Sequence, residues 1–342
     1  MKIFIEILLI SAMIFTISNA KDETDETLEF FHKDWFVICD NTATCRIFGE
    51  QVTNWGYTLS VLFTRPAGAD SKITGEVKYN YYERDDFNVK LFINSRNHGE
   101  IEPKEVKDKF GSEMVNTLDD DQIHALIAAL KGSPKIEFKN LDQDISMQLS
   151  TEGFNAVWLK MREWQRLLKG QRPREPKPEP VIKKVKFIGE LQNVTRDDLR
   201  FEQIFKILKK LPESEKCDIF DGDSPWFKDD SFMQIQQIDE NRTLVQARCQ
   251  MTGYIPTALV VVVMDDDLSQ VSFVTTDFNG TDENGDLRHE SKVCGGSEWN
   301  HKTAVWDGEK FVIVGDRFRG PCSSGEAGGA WDFPIITGKV VE

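Results

Sequence analysis

The stretch from Asp277 to Asp286 crowds carboxylates, amides and a hydroxyl around Gly280 and Gly285, as an oxygen-ligated calcium loop requires. Asp277, Asn279 and Asp282 are its candidate ligands. Counted from Asp277, the twelfth position is Arg288, a cation where the bidentate carboxylate of an EF-hand belongs; counted from Asn279 it is Glu290, but weak ligands then come first. An acidic hairpin turn is the preferred reading, with calcium as the alternative. A second group, Trp299, Trp306 and Trp331 with His301 and Asp307 nearby, has the residue types of a groove for a peptide or glycan, or of an aromatic plug at the end of a sandwich.

Catalytic patterns are sparse. The histidines His32, His98, His124, His289 and His301 form no metal-binding pair on one helical face. There is no G-x-S-x-G elbow for a nucleophilic serine, and Ser323-Ser324-Gly325 reads as a polar loop. The glycines after Gly315 do not lead a strand into a helix, so no phosphate-cradling loop is supported. No cofactor is expected.

Six cysteines, Cys39, Cys45, Cys217, Cys249, Cys294 and Cys322, read as three disulfides of an oxidising compartment. Cys39 and Cys45 close a short loop between two apolar runs, which suits a hairpin bridged at its mouth. The other four allow three pairings; proximity favours Cys217 with Cys249 and Cys294 with Cys322. None has the close spacing of a zinc knuckle, and paired sulfur cannot act as a nucleophile.

The elements that must position these residues fall on either side of one segment. Residues 169–186, KGQRPREPKPEPVIKKVK, carry four prolines and set seven Lys or Arg against two Glu, in a chain of 342 residues with a net charge of -15. Such a segment favours extended polyproline geometry and acts as a semi-rigid spacer. Lying between two acidic units, it predicts docking by charge and hence docking that weakens with salt. The acidic balance excludes sequence-independent binding to nucleic acid. At the N-terminus, Lys2, an apolar run from Ile7 to Ile17 and Ser18-Asn19-Ala20 predict a signal peptide over 1–20, with no membrane-spanning segment once it is removed.

Residues 21–168 form an expected first domain, opening on an acidic leader from Lys21 to Glu29. Strand patterns follow at Thr58 to Thr64, Glu76 to Tyr82 and Asn88 to Ile93. Helical spacing then appears at Ile123, Leu126, Ile127 and Leu130 behind Asp119 to Asp121. Two short strands precede a second helix marked by Phe154, Val157, Trp158 and Met161, with Thr151 as its cap. Residues 187–342 form the second: a helix through Ile204, Phe205 and Leu208, opened by a capping box at Thr195-Arg-Asp-Asp198, then seven strands including Ala258 to Met264. The fold class is α+β: two mainly antiparallel-sheet domains, the first with two packing helices, the second a disulfide-stapled sheet or sandwich with one N-terminal helix.

Trp35, Cys39-Asp40-Asn41 and Cys45, the strand Ser60 to Arg65, and Val293-Cys294-Gly295, Val305-Trp306-Asp307-Gly308, Phe311, Cys322 and Trp331 occur in an order that resembles the bacterial envelope family known as domain of unknown function 1176. Ala125 to Lys131 through Glu152-Gly153-Phe154 is also similar to the invasion-associated locus B family. Pro321 stands before the last cysteine where the first resemblance implies arginine. The resemblance implies an exported, periplasmic or secreted protein and brings no activity. Two function classes follow: a non-catalytic component binding an envelope protein or glycan, or a hydrolase of an envelope polymer using acidic residues in an aromatic cleft.

Overall fold

The computed structural model describes residues 26–52, 58–80, 89–108, 111–140, 145–217, 220, 232–252, 255–265, 271–296, 298–320 and 329–342. The expected signal peptide, Cys322 and Ser323-Ser324-Gly325 lie outside them. The first half runs β1 (Leu28–His32), β2 (Trp35–Cys39), β3 (Cys45–Val52), β4 (Thr58–Arg65), β5 (Thr74–Asn80), β6 (Val89–Ile93), β7 (Arg96–Asp108), β8 (Gly111–Leu118), α1 (Asp120–Leu130), β9 (Ile136–Asn140), β10 (Ile145–Leu149) and α2 (Phe154–Trp164). The strands form one antiparallel sheet ordered β1-β2-β3-β4-β5-β8-β7-β6-β9-β10. It curls until Met147 and Leu149 share a core with Trp35 and Phe63, and the Trp35 indole donates to the Ser150 carbonyl at 2.9 Å. A Cβ at Gly49 would lie 2.7 Å from the Trp35 ring, so only glycine fits beneath it.

Successive strand residues face opposite ways. In β2 to β4, Val37, Ile47, Val61 and Phe63 point into this core, while Ile38, Phe48 and Leu62 point out of the other face, and both sets are buried. That is why these strands are apolar throughout. The leader ends sooner than expected, because Leu28–His32 pairs with β2 as an edge strand. Arg96–Asp108 and Gly111–Leu118 carry charges that hide any alternation, yet they pair as a long hairpin. Asp119 caps α1 in a reciprocal box with Gln122. The cap of α2 is Gly153, not Thr151: its φ of 100° and a carbonyl 2.0 Å from any added Cβ exclude other residues.

The second half runs β11 (Val181–Lys183), β12 (Gln192–Asn193), α3 (Phe201–Lys209), β13 (Met233–Gln237), β14 (Arg242–Thr252), β15 (Ile255–Asp265), β16 (Val271–Thr275), β17 (Gly280–Thr281), β18 (Leu287–Val293), β19 (Glu298–Trp306), β20 (Phe311–Arg319), β21 (Asp332–Thr337) and β22 (Lys339–Val341). Strands β12 to β16 and β17 to β21 make two five-stranded sheets. Val245, Val260, Val262 and Met264 face α3, whereas Leu244, Leu259 and Val261 face Leu287, Ala304 and Trp306 of the other sheet. The valine run is continuous because β15 is covered on both sides. The expected capping box does not form. Asp198 instead accepts three hydrogen bonds from Arg200, which hold its carboxyl down to about 2, and α3 begins without a side-chain cap. Cys217 pairs with Cys249, as proximity favours, and Cys39 with Cys45. In the chain-entropy picture the longer of these loops contributes about 4 kcal/mol. Cys294 is also disulfide-bonded.

The halves meet through an apolar seal. Ile38, Phe48, Leu62 and Val115 pack on Ala330, Trp331 and Phe333, with Phe333 5.4 Å from Phe48 and Phe318 5.6 Å from Phe36. Asn41 stitches across: its amide donates to the Thr337 carbonyl at 2.9 Å and accepts from the Thr337 N–H at 3.0 Å. The proline-rich segment is held at both ends. Gly68 donates to Arg174, whose guanidinium lies 4.2 Å from the Trp164 ring centre, and Lys177 donates to Thr42. Val181–Lys183 pairs in parallel with Lys339–Val341, and Lys184 meets Asp286 at 2.7 Å with both side chains about one-tenth exposed. The crossing between halves therefore falls between Lys177 and Pro180.

Candidate functional site at the junction of the two halves

On β18 to β20 the inward positions begin apolar. Leu287, Ala304 and Trp306 close against β14 and β15, and further along the same face Phe318 closes against the first half. Between those two seals the same face turns polar: His289 lies opposite Lys302, Ser291 opposite Asn300, and Lys302 opposite Asp316. Glu29 of edge strand β1 faces them from the first half, and the space enclosed is a cleft of about 310 Å³ bounded by Phe318 and Ile335. Polar residues in phase with a core face must be met by water or a ligand, because they cannot extend the core.

The charges there are unequal. Lys302 Nζ lies 3.4 Å from Asp316 Oδ2. Glu29 is held above its ordinary 4.5 by burial and then by the Asp316 carboxylate, with Lys302 opposing. His289 is held below 6.5 by burial and by Lys302, which outweigh a backbone hydrogen bond with Asp277 and the Asp316 and Asp277 charges. Two carboxylates thus share one ammonium beside an imidazole that resists protonation. Nδ1 of His289 is buried and makes no hydrogen bond, and the same holds for Nε2 of His301. Neither imidazole is engaged as a base for Ser291. Among the described residues no group of three His, Cys, Asp or Glu side chains is placed to hold a metal ion.

The sequence-derived candidates lie elsewhere. Trp306 is buried between the two small sheets, 5.2 Å from Phe311, and Trp331 is buried in the seal between the halves beneath Lys78. Trp299 lies on the outer face apart from the other two, its ring 6.5 Å from His301 and flanked by Lys292 at 4.4 Å and Arg319 at 5.5 Å. The three rings therefore do not line one groove, because β-strand alternation and two separate cores part them. On that outer face Arg317 is held by Asp332 at 2.8 Å, and Arg288 by Asp282 at 2.7 Å and Asp286 at 3.3 Å.

The acidic turn supplies its own cations. Asp282 also accepts from the backbone of Asn284 and Asp286; burial alone would raise its carboxyl, but Arg288 and these N–H groups hold it low. Asn279 uses both ends of its amide on the Glu290 backbone. Arg288 and Lys184 thus take the Asp282 and Asp286 carboxylates and Asn279 is committed to Glu290, so of the three candidate ligands only Asp277 has no cation or backbone partner on its carboxylate among the described residues, and the hairpin-turn reading is the one the geometry favours.

Glu29, His289, Lys302 and Asp316 escape a reading by spacing, since they come from four strands. The usable signal is phase: His289, Asn300 and Lys302 fall on the alternation set by Leu287, Ala304 and Trp306.

The family model described as "Protein of unknown function (DUF1176)" matches residues 29–338. No curated protein matches. Among solved structures, the crystal structure of invasion associated protein B from Bartonella henselae aligns at 16% identity and a TM-score of 0.28, covering 41% of this chain and 99% of that one.

Proposed function

The chain belongs to the DUF1176 family, whose members are proteins of unknown function, and on that premise we propose that it is an exported, non-catalytic binding protein of the cell envelope, periplasmic or secreted, which holds a small polar ligand between its two halves. The disulfides Cys39–Cys45 and Cys217–Cys249 support the oxidising compartment. One observation carries the binding role: the cleft at Glu29, Ser291, Lys302 and Asp316 is polar on a face that is core above and below it. Clefts at the meeting of two units are a common place for ligands, and about 310 Å³ suits one of monosaccharide size. The test is thermal-shift screening of small envelope-derived sugars and amino acids against the wild type and Ser291→Trp, which fills the cleft. At least one compound is expected to raise the melting temperature of the wild type alone. No shift, or equal shifts in both proteins, overturns the reading.

A hydrolase remains the second reading, because Glu29 and Asp316 are two carboxylates in one cleft with unlike surroundings. Turnover of envelope glycans or esters that Glu29→Gln abolishes supports it over binding.

A further inference from the structure

The junction cleft has a charge inventory that selects among ligands. Its titratable walls are Glu29 on β1, His289 on β18, His301 and Lys302 on β19 and Asp316 on β20, with the amide of Asn300 and the hydroxyl of Ser291 between them. Lys302 is engaged with Asp316 at 3.4 Å. Glu29 has only a share of that ammonium and faces the Asp316 carboxylate as well. The site is therefore short of one cation, and Glu29, exposed at the cleft's edge, is open to a ligand. A metal ion is a poor occupant, since Lys302 stands inside the ring of ligands and no three donors converge among the described residues. An ammonium carried by a ligand would give Glu29 a partner. The buried Nδ1 of His289, which lacks any hydrogen bond, together with Asn300 and Ser291, offers neutral groups suited to hydroxyls.

We propose that the cleft between the halves is a site for a small polyhydroxylated amine, an amino sugar with a free ammonium group, which Glu29 binds through its carboxylate while Asn300, Ser291 and His289 receive the hydroxyls. This rests on the binding role stated above. Carboxylate and ammonium form a charge-assisted hydrogen bond, and acetylating the amine removes both charge and donors.

The probes are glucosamine, N-acetylglucosamine and glucose, titrated calorimetrically into the full chain at about pH 6.5, where an aliphatic amine is protonated. Glucosamine is expected to bind at least tenfold more tightly than the other two. Glu29→Gln should abolish that preference while the variant keeps the wild-type circular dichroism spectrum. Binding should also weaken at about pH 4, as Glu29 takes up a proton. Equal affinity for all three sugars overturns the ligand class but leaves the cleft as a binding site. Glucosamine binding unchanged by both Glu29→Gln and Ser291→Trp overturns the site itself, as does an absence of glucosamine binding.

Discussion

Phe333→Ala tests the seal that makes two halves into one body. Phe333 is 1% exposed, and its ring centre lies 5.4 Å from Phe48, 6.0 Å from Phe318 and 6.1 Å from Phe36. Truncating a buried phenylalanine costs about 3 to 5 kcal/mol, part of it from ring pairs worth about 0.5 to 1.5 kcal/mol each. A domain has only about 5 to 15 kcal/mol in total, so the loss is enough to uncouple the halves if they are joined chiefly here. Guanidinium unfolding, followed by far-ultraviolet circular dichroism and by tryptophan fluorescence, reads the effect. The wild type should show coincident transitions; Phe333→Ala should show separated ones, with the first at lower denaturant. If the variant keeps coincident transitions at the wild-type midpoint, Phe333 does not join the halves and the reasoning fails.

Four further outcomes follow from the same contacts. Asn41→Ala strands the Thr337 backbone and should cost about 1 to 3 kcal/mol in urea unfolding; no change would mean that water replaces the amide. Glu29 has its folded value raised, so the folded state is favoured below the unfolded value of 4.5 and loses that advantage as pH rises through the folded one. Glu29→Gln should therefore stabilise the protein slightly, by under about 1 kcal/mol, at neutral pH, and the gain should vanish near pH 4; a loss at neutral pH contradicts the sign. Because Arg174 lies against Trp164 and the halves meet through apolar rings, trypsin should cut at Arg174 slowly and at the same rate in low and high salt, whereas faster cutting in high salt would restore docking by charge. Calcium should leave the melting temperature unchanged, since Arg288 and Lys184 already neutralise Asp282 and Asp286; a rise of several degrees would reopen the calcium reading.

Much of the architecture is legible where one force acts alone. The valine run of β15 announces a buried strand, and the acidic run Asp119 to Asp121 announces the start of α1, although the box between Asp119 and Gln122 shows only in the structure. Short loops bring Cys39 to Cys45, and proximity brings Cys217 to Cys249. Legibility fails where tertiary contacts override a local signal. Thr195 to Asp198 has the letters of a capping box, but Arg200 takes the Asp198 carboxylate. The proline-rich segment looks like a spacer, yet its ends are bonded to both halves and Phe187, just beyond it, enters a core. Glu29 reads as part of a solvated acidic leader, and only the closing of the second half over β1 turns it into a wall of the cleft. Trp306 and Trp331 attract attention as a groove because aromatic residues serve both cores and surfaces, and spacing alone does not separate the two uses.

The central claim, a ligand site built jointly by both halves, is tested most directly by hydrogen exchange with mass-spectrometric readout, with and without saturating glucosamine. Protection is expected to rise together in Leu28–His32 and in β18 to β20, and to be lost in Ser291→Trp. Protection confined to one half, or gained at the outer face around Trp299 instead, would contradict the account.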